Sequence, residues 1–485
     1  MLKPSRHRPL RPTWLLLALT ILLSSLLLPG PVPGKASESA QMQSVFLPSV
    51  SYDSGYPQPF GVEWVSRPSL TTTYTAHAQE LGIRWVRLHR ISWRAIQPTE
   101  GAAYDWSVLS NFESEIIAAQ KAGLTPMVIV HHSPEWATVN EPFVTDCGAI
   151  RADKFGAFAD FMSALVSRYK QSPYNVHYWE LGNEPDVDPR LVPANSVFGC
   201  WGDIGDPYYG GRHYGEMLKV VTPAIKAADP QAKVIIGGLL LARPVPNPGE
   251  GDGHRFFEGM LVAGAAPHMD IVAYHAYPSY GGINVDYDLA PVDWESRGGY
   301  TRGKARFLRE VMAAYGVSKP VIANETALGC NPDVLDCDPP PVDFLQAQAD
   351  YLARTFTRAR SEDISGLIWY TLSGPGWRDT GLLDDSGLPR PSYWSYQQFV
   401  KQLNRSIYQG VVAYGGDVEA YSFTRAKDRL HVAWSVDASP NVINVPQANF
   451  LAAYDRDGTP LTPVAAGSDY QLTVGFSPIY IVLKQ

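Results

Sequence analysis

Short apolar, β-branched runs alternate with helical stretches along this chain, and counting them constrains the fold more than any other feature. The strand-like runs fall at residues 60–65, 84–89, 127–131, 176–184, 234–238, 271–275, 321–324 and 367–370. Helical periods lie at 74–81, 112–122, 155–169, 214–228, 304–315 and 344–360, with a last one near 393–403. No helix is read between the fifth and sixth runs. Such alternation means a parallel sheet with crossover helices. Eight units predict a closed (β/α)8 barrel over 57–403, with functional groups at the C-terminal strand ends.

The texture changes after residue 403. Runs at 420–425, 430–434, 442–445 and 470–483 mix apolar and polar residues at strand-like spacing, with turn signals such as Asp457-Gly458 between them. They predict a small antiparallel β-sandwich over 404–485. A length of 485 residues accommodates one large and one smaller domain. The net charge of −8 argues against a nucleic-acid partner, which would want a basic surface.

At the other end, Lys3, Arg6, Arg8 and Arg11 precede an apolar run at 14–28, and Gly34-Lys35-Ala36 fits a small-x-small cleavage rule. Residues 1–36 therefore read as a signal peptide and 37–56 as a linker. The run is shorter than the ~20 residues a spanning helix needs. The expectation is a secreted or cell-surface protein with no stable membrane insertion once the signal is cleaved; retention as an anchor stays open. Four cysteines suit an oxidising compartment. Cys330 and Cys337 are close enough in sequence to close a loop, which leaves Cys147 to pair with Cys200. No Cys-x-x-Cys or nearby His pair supports a metal site, and no cofactor is expected.

Two strand ends carry the chemistry. In Trp179-Glu180-Leu181-Gly182-Asn183-Glu184-Pro185, Gly182 breaks the strand and Pro185 bars its ladder, which leaves Asn183 and Glu184 at the mouth. The run Val321-Ile322-Ala323-Asn324-Glu325 ends in a second carboxylate. Two such carboxylates suit work on a glycosidic bond, where one holds a proton and the other does not. Period-2 alternation also puts Trp85, Arg87 and His89 on one face of the second strand, and an inward Arg needs a carboxylate partner. Glu180, within its strand, reads as structural.

Asn183-Glu184-Pro185 after a fourth strand, with Glu325 at the end of a seventh, resembles the TIM-barrel glycoside hydrolases of clan A. In detail it is most similar to family 39, the β-xylosidase-like group, over roughly residues 60–400. The resemblance implies a retaining enzyme acting on a β-linked carbohydrate, with Glu184 as acid/base and Glu325 as nucleophile. It implies further that Asn183 bonds the sugar 2-OH, and that Arg87 and Tyr277, in His275-Ala276-Tyr277, support the nucleophile. His132, Trp136 and Trp369 are candidate sugar contacts, and Trp377, in a Gly-Pro-Gly loop, a better exposed one. A transglycosidase on the same scaffold and a non-catalytic glycan-binding protein remain as alternatives. The exact sugar and the oligomeric state do not follow from these residues.

Overall fold

The computed structural model describes residues 60–485 apart from 66, 140–147, 194–195, 197, 247–248, 291 and 334. The expected signal peptide and linker, and Cys147, lie outside the described residues. Eight strands form one parallel sheet: β1 Phe60–Glu63, β2 Trp85–Ser92, β3 Thr125–His131, β4 Tyr178–Leu181, β5 Lys233–Ile236, β6 Val272–Ala276, β7 Val321–Thr326 and β8 Gly366–Trp369. Eight helices follow them: α1 Thr71–Leu81, α2 Ser110–Lys121, α3 Phe155–Tyr169, α4 Gly211–Ala228, α5 Phe256–Val262, α6 Tyr300–Ala314, α7 Val342–Ser361 and α8 Pro391–Leu403. The architecture is the (β/α)8 barrel that the alternation predicts.

The strands are buried on both faces, as a sheet enclosed by helices requires; all six residues of β7 are buried. The helices bury one stripe each. In α3 this is Phe155, Phe158, Phe161, Met162, Leu165 and Tyr169, a helical spacing against the barrel. Sheet order runs β5-β4-β3-β2-β1-β8-β7-β6. The circuit closes between β5 and β6 through two isolated bridges, Ile235 to Ile271 and Leu239 to Tyr274. That seam holds fewer ladder bonds than its neighbours.

The sequence reading missed α5, whose seven residues are too few to show a clear period. Glu184 also lies three residues beyond β4, since Gly182, at φ 88°, turns the chain first.

Beyond α8 the chain is all β, with eight strands where the sequence suggested four runs. These are β9 Ile407–Val411, β10 Val418–Thr424, β11 Arg429–Ser435, β12 Asn441–Pro446, β13 Phe450–Tyr454, β14 Val464–Ala466, β15 Asp469–Val474 and β16 Ile479–Leu483. They form a five-stranded sheet, β13-β16-β11-β10-β9, and a three-stranded sheet, β12-β15-β14, both antiparallel. Alternation divides the larger sheet's side chains between two cores. Ala420, Ala433 and Ile481 meet Ile443, Val445 and Leu472 of the smaller sheet, while Tyr421, Phe423, Val432 and Trp434 join the barrel's core. A buried Arg358 on α7 reinforces the junction by pairing with Asp286, in the loop after β6, and Glu419, on β10.

Candidate active site

Arg87 is the hub of the barrel's C-terminal mouth. On β2 it stands in register with Glu63 of β1, and its side chain is wholly buried. A guanidinium has five N–H donors in a fixed fork, and each has a partner here. Nε and Nη2 grip Glu180 at 2.8 and 2.9 Å, and Nη2 also donates to Asn183 Oδ1 at 3.0 Å. Nη1 is shared between Glu63 and Glu325. Glu180, read as structural from sequence, also accepts from Asn324 Nδ2 at 2.9 Å and the Gly238 N–H at 3.0 Å. It thereby fixes Arg87 in orientation and links β4, β5 and β7.

Glu325, next to last on β7, has one oxygen on Arg87 and the other accepting from the Tyr277 hydroxyl. Burial, with the anion of Glu325 beside it, holds the Tyr277 phenol well above its usual range, so it stays a donor.

Glu184 has the opposite surroundings. It sits in the left-handed backbone region at φ 46°, fixed by its N–H on the Gly238 carbonyl at 3.0 Å. Burial pushes its carboxyl up to about 7, against the downward pull of Arg87 and Lys304. Its side-chain partner is His275 Nδ1 at 2.8 Å, and the same nitrogen lies 3.4 Å from Glu325. Those two distances laid end to end keep these two carboxyl oxygens within about 6.2 Å of each other. Burial pulls His275 down to about 4, so the imidazole is neutral at ordinary pH. Its close neighbour has to be glycine: a Cβ on Gly238 would lie 2.1 Å from His275 Nε2.

Two glutamates near one imidazole, one ion-paired and one desolvated, can divide the roles of anion and acid between them.

The remaining candidates are less central. Trp136 is half-buried, its Nε1 donating to the Gln97 carbonyl at 3.1 Å and its ring edge-on to Trp93. His132 leaves β3 at φ 52°, and its ring centroid lies 3.5 Å from that of His131. The two rings therefore lie together, where a continuing strand would have pointed them apart. No metal-holding cluster of His, Cys, Asp or Glu occurs among the described residues.

Trp369 is a correction. It is fully buried against Tyr351 and Phe356 of α7, and its Nε1 donates to the Thr380 carbonyl at 2.9 Å. It faces the helices and cannot serve as a platform. Tyr370, the next residue, turns inward instead, edge-on to Tyr277. Trp377 is half exposed and also edge-on to Tyr277, at 5.4 Å. Its loop is braced by the Cys330–Cys337 disulfide, since the Cys330 N–H donates to the Arg378 carbonyl at 2.8 Å. Cys200 is disulfide-bonded too.

Sequence reasoning overlooked Glu63, Asp186, Lys304 and Tyr370. Glu63 carried a legible signal, a charge ending the otherwise apolar Phe-Gly-Val-Glu strand. Lys304 carried another, a cation on the helix stripe of Tyr300, Phe307 and Leu308.

Residues 48–354 match the sequence family described as cellulase, glycosyl hydrolase family 5. The chain belongs to this family. Family 5 lies in clan A, so the resemblance read from the strand-end motifs holds at that level. Membership makes the protein a glycosidase that hydrolyses O-glycosyl bonds of a carbohydrate. No curated protein matches the chain.

Solved structures share the fold. A family 39 glycoside hydrolase from Bacteroides cellulosilyticus WH2 is 19% identical, with 88% of this chain and 81% of that one covered and a TM-score of 0.66. A family 39 β-xylosidase from Caulobacter crescentus is 17% identical, with 89% and 98% covered and a TM-score of 0.55. A family 30 subfamily 8 xylanase from Clostridium acetobutylicum is 14% identical, with 88% and 96% covered and a TM-score of 0.58. Family 39 thus enters through structural likeness, and family 5 through the sequence.

Proposed function

We propose that this glycosidase cleaves β-O-glycosidic bonds of poly- or oligosaccharides with retention, by double displacement, with Glu325 as nucleophile and Glu184 as acid/base. The observation that supports it most is the contrast between the two carboxylates around His275. Glu325 accepts from Arg87 and Tyr277, which suits an anion ready to attack. Glu184, raised by burial to about 7, holds a proton at neutral pH and below.

In the first step Glu325 attacks the anomeric carbon while Glu184 protonates the departing oxygen, which gives a glycosyl-enzyme and an alcohol. In the second, Glu184, now ionised, takes a proton from water as that water displaces Glu325. The upper bound of about 6.2 Å between the oxygens that face His275 favours this route. Retaining pairs lie at about 5–5.5 Å and inverting pairs at roughly 6.5–9.5 Å, with room for a water. Asn183, held by Arg87, is suited to bond the sugar 2-OH. Xylosides and glucosides are the first substrates to try, because the neighbouring structures are a β-xylosidase and a xylanase and the family is called cellulase. Export through the N-terminal segment belongs to the same proposal.

The test is a pair of variants. Glu325→Gln abolishes turnover whatever the leaving group. Glu184→Ala removes proton donation, typically worth ~10²–10⁴ in rate. It still releases nitrophenolate in a burst, and azide restores turnover, giving a β-glycosyl azide. Rescue in the Glu325 variant instead would exchange the roles, and a first product of inverted configuration by NMR would sink the mechanism.

A further inference from the structure

Lys304 projects from α6, a helix on the outside of the barrel, yet it is 2% exposed. Burying an ammonium is costly unless other groups compensate it. No carboxylate lies within 4 Å of its Nζ among the described residues. It donates instead to two backbone carbonyls, Leu240 at 2.7 Å and His275 at 2.8 Å, and lies 4.8 Å from the Tyr300 ring centroid.

Those carbonyls lie on opposite sides of the sparsely bonded β5–β6 seam. The last bridge there is Leu239 to Tyr274, with the His275 N–H donating to the Leu239 carbonyl at 2.9 Å. Lys304 grips the next residue on each side. Leu240 is held from its other end as well: Asp186, two residues past Glu184, accepts from the N–H groups of Leu240 and Leu241 at 2.9 and 2.7 Å. The contacts close a ring from Glu184 through His275, Lys304, Leu240 and Asp186 back to the Glu184 loop.

We propose that Lys304 is a positioning residue for the acid/base: it clasps the seam to seat His275 on Glu184 and sets a buried positive charge behind them. This rests on the reading of Glu184 as acid/base. Facing Glu184 are Arg87 from β2, Glu180 from β4, His275 from β6, Glu325 from β7, Tyr370 after β8, and Asp186 of its own loop. Arg87 is shared among three other carboxylates, and His275 is neutral. Lys304 is the second cation acting on Glu184, after Arg87, and among the described residues it pairs with no carboxylate of its own. Burial pulls its ammonium down to about 7, while Asp186 and Glu184 sustain it.

The sign follows. A cation near Glu184 favours the carboxylate, so removing it makes Glu184 harder to ionise. The test compares Lys304→Met, which loses charge and donors, with Lys304→Gln, which keeps an N–H donor without charge. For each, kcat/KM is followed against pH on phenyl and dinitrophenyl β-glycosides of the sugar that the parent hydrolyses fastest. On the phenyl substrate the basic limb is expected to move to higher pH in both variants. In Lys304→Met the optimum also falls, by up to about 10² if the acid is misplaced by an ångström. The dinitrophenyl substrate, which needs no proton, stays near the parent rate.

An unmoved basic limb, equal losses on both substrates, or loss of the fold in both variants overturns the proposal. Glu184→Ala is assayed in parallel. If it loses both substrates equally, the acid/base reading has failed. If it is selective for the phenyl substrate while the Lys304 variants are not, only the inference about Lys304 has failed.

Discussion

At the scale of single residues, the site separates two glutamates by what surrounds them. Because burial raises Glu184 to about 7, the acid form is present below that pH and lost above it. On substrates with poor leaving groups, kcat/KM is expected to fall as pH rises through about 7. On dinitrophenyl substrates that limb should disappear. A limb at the same pH for both leaving groups would assign it to another residue. Tyr277→Phe removes one of the donors on Glu325. By analogy with deleting one donor from an oxyanion site, kcat should drop by roughly 10²–10³. KM for the same substrate is expected to change little, since the hydroxyl bonds the enzyme's own carboxylate.

At the scale of elements, most of the barrel was legible because its two periods differ. Residues at helical spacing on α3 and α4 cannot be confused with runs such as Met127 to His131. What escaped was parity. In a barrel enclosed by helices both faces of a strand are apolar, so Gly-Leu-Ile-Trp-Tyr does not reveal which residue points inward. Trp369 was assigned to the mouth and lies against α7, with Tyr370 in its place. In the site, Glu184 and Glu325 stood out as charges at apolar strand ends, and Arg87 as an inward charge within a strand. The burial of Lys304 had a signal in its helix stripe, but its role did not, because that depends on carbonyls 29 and 64 residues away in sequence.

The Cys330–Cys337 bridge acts at this scale also. Closing so short a loop is worth roughly 2–3 kcal/mol by restricting the unfolded chain. Cys330→Ser with Cys337→Ser should lower the denaturation midpoint accordingly. The double variant should also raise KM if the Trp377 loop it braces touches substrate, whereas an unchanged KM would separate that loop from binding.

At the scale of the whole molecule, one sheet serves two cores, so the barrel and the β-sandwich should unfold together. Arg358 sits at their junction. Arg358→Met leaves Glu419 without a guanidinium partner and Asp286 with Arg354 alone, and breaking a buried pair of this kind costs about 3–5 kcal/mol. A single, earlier calorimetric transition is expected. Two separate transitions would show that the units melt independently. Arg358 and Arg354 hold Asp286 down to about 2, against burial that works the other way. A depressed carboxylate contributes stability above its unfolded value near 4, and that contribution is lost as pH falls toward 2.

The backbone of Glu184 has a consequence for heat resistance. A glutamate at φ 46° occupies a conformation that costs an L-residue roughly 1–2 kcal/mol and glycine almost nothing. Its carboxyl is also kept from water, a second penalty that the proposed acid/base role accounts for. Glu184→Gly relieves both, while giving up one bond to His275. The Glu184→Gly protein should therefore survive heating at least as well as the parent, so, with Glu184 as the proposed acid/base, a screen for thermal survival alone would favour molecules that have lost it.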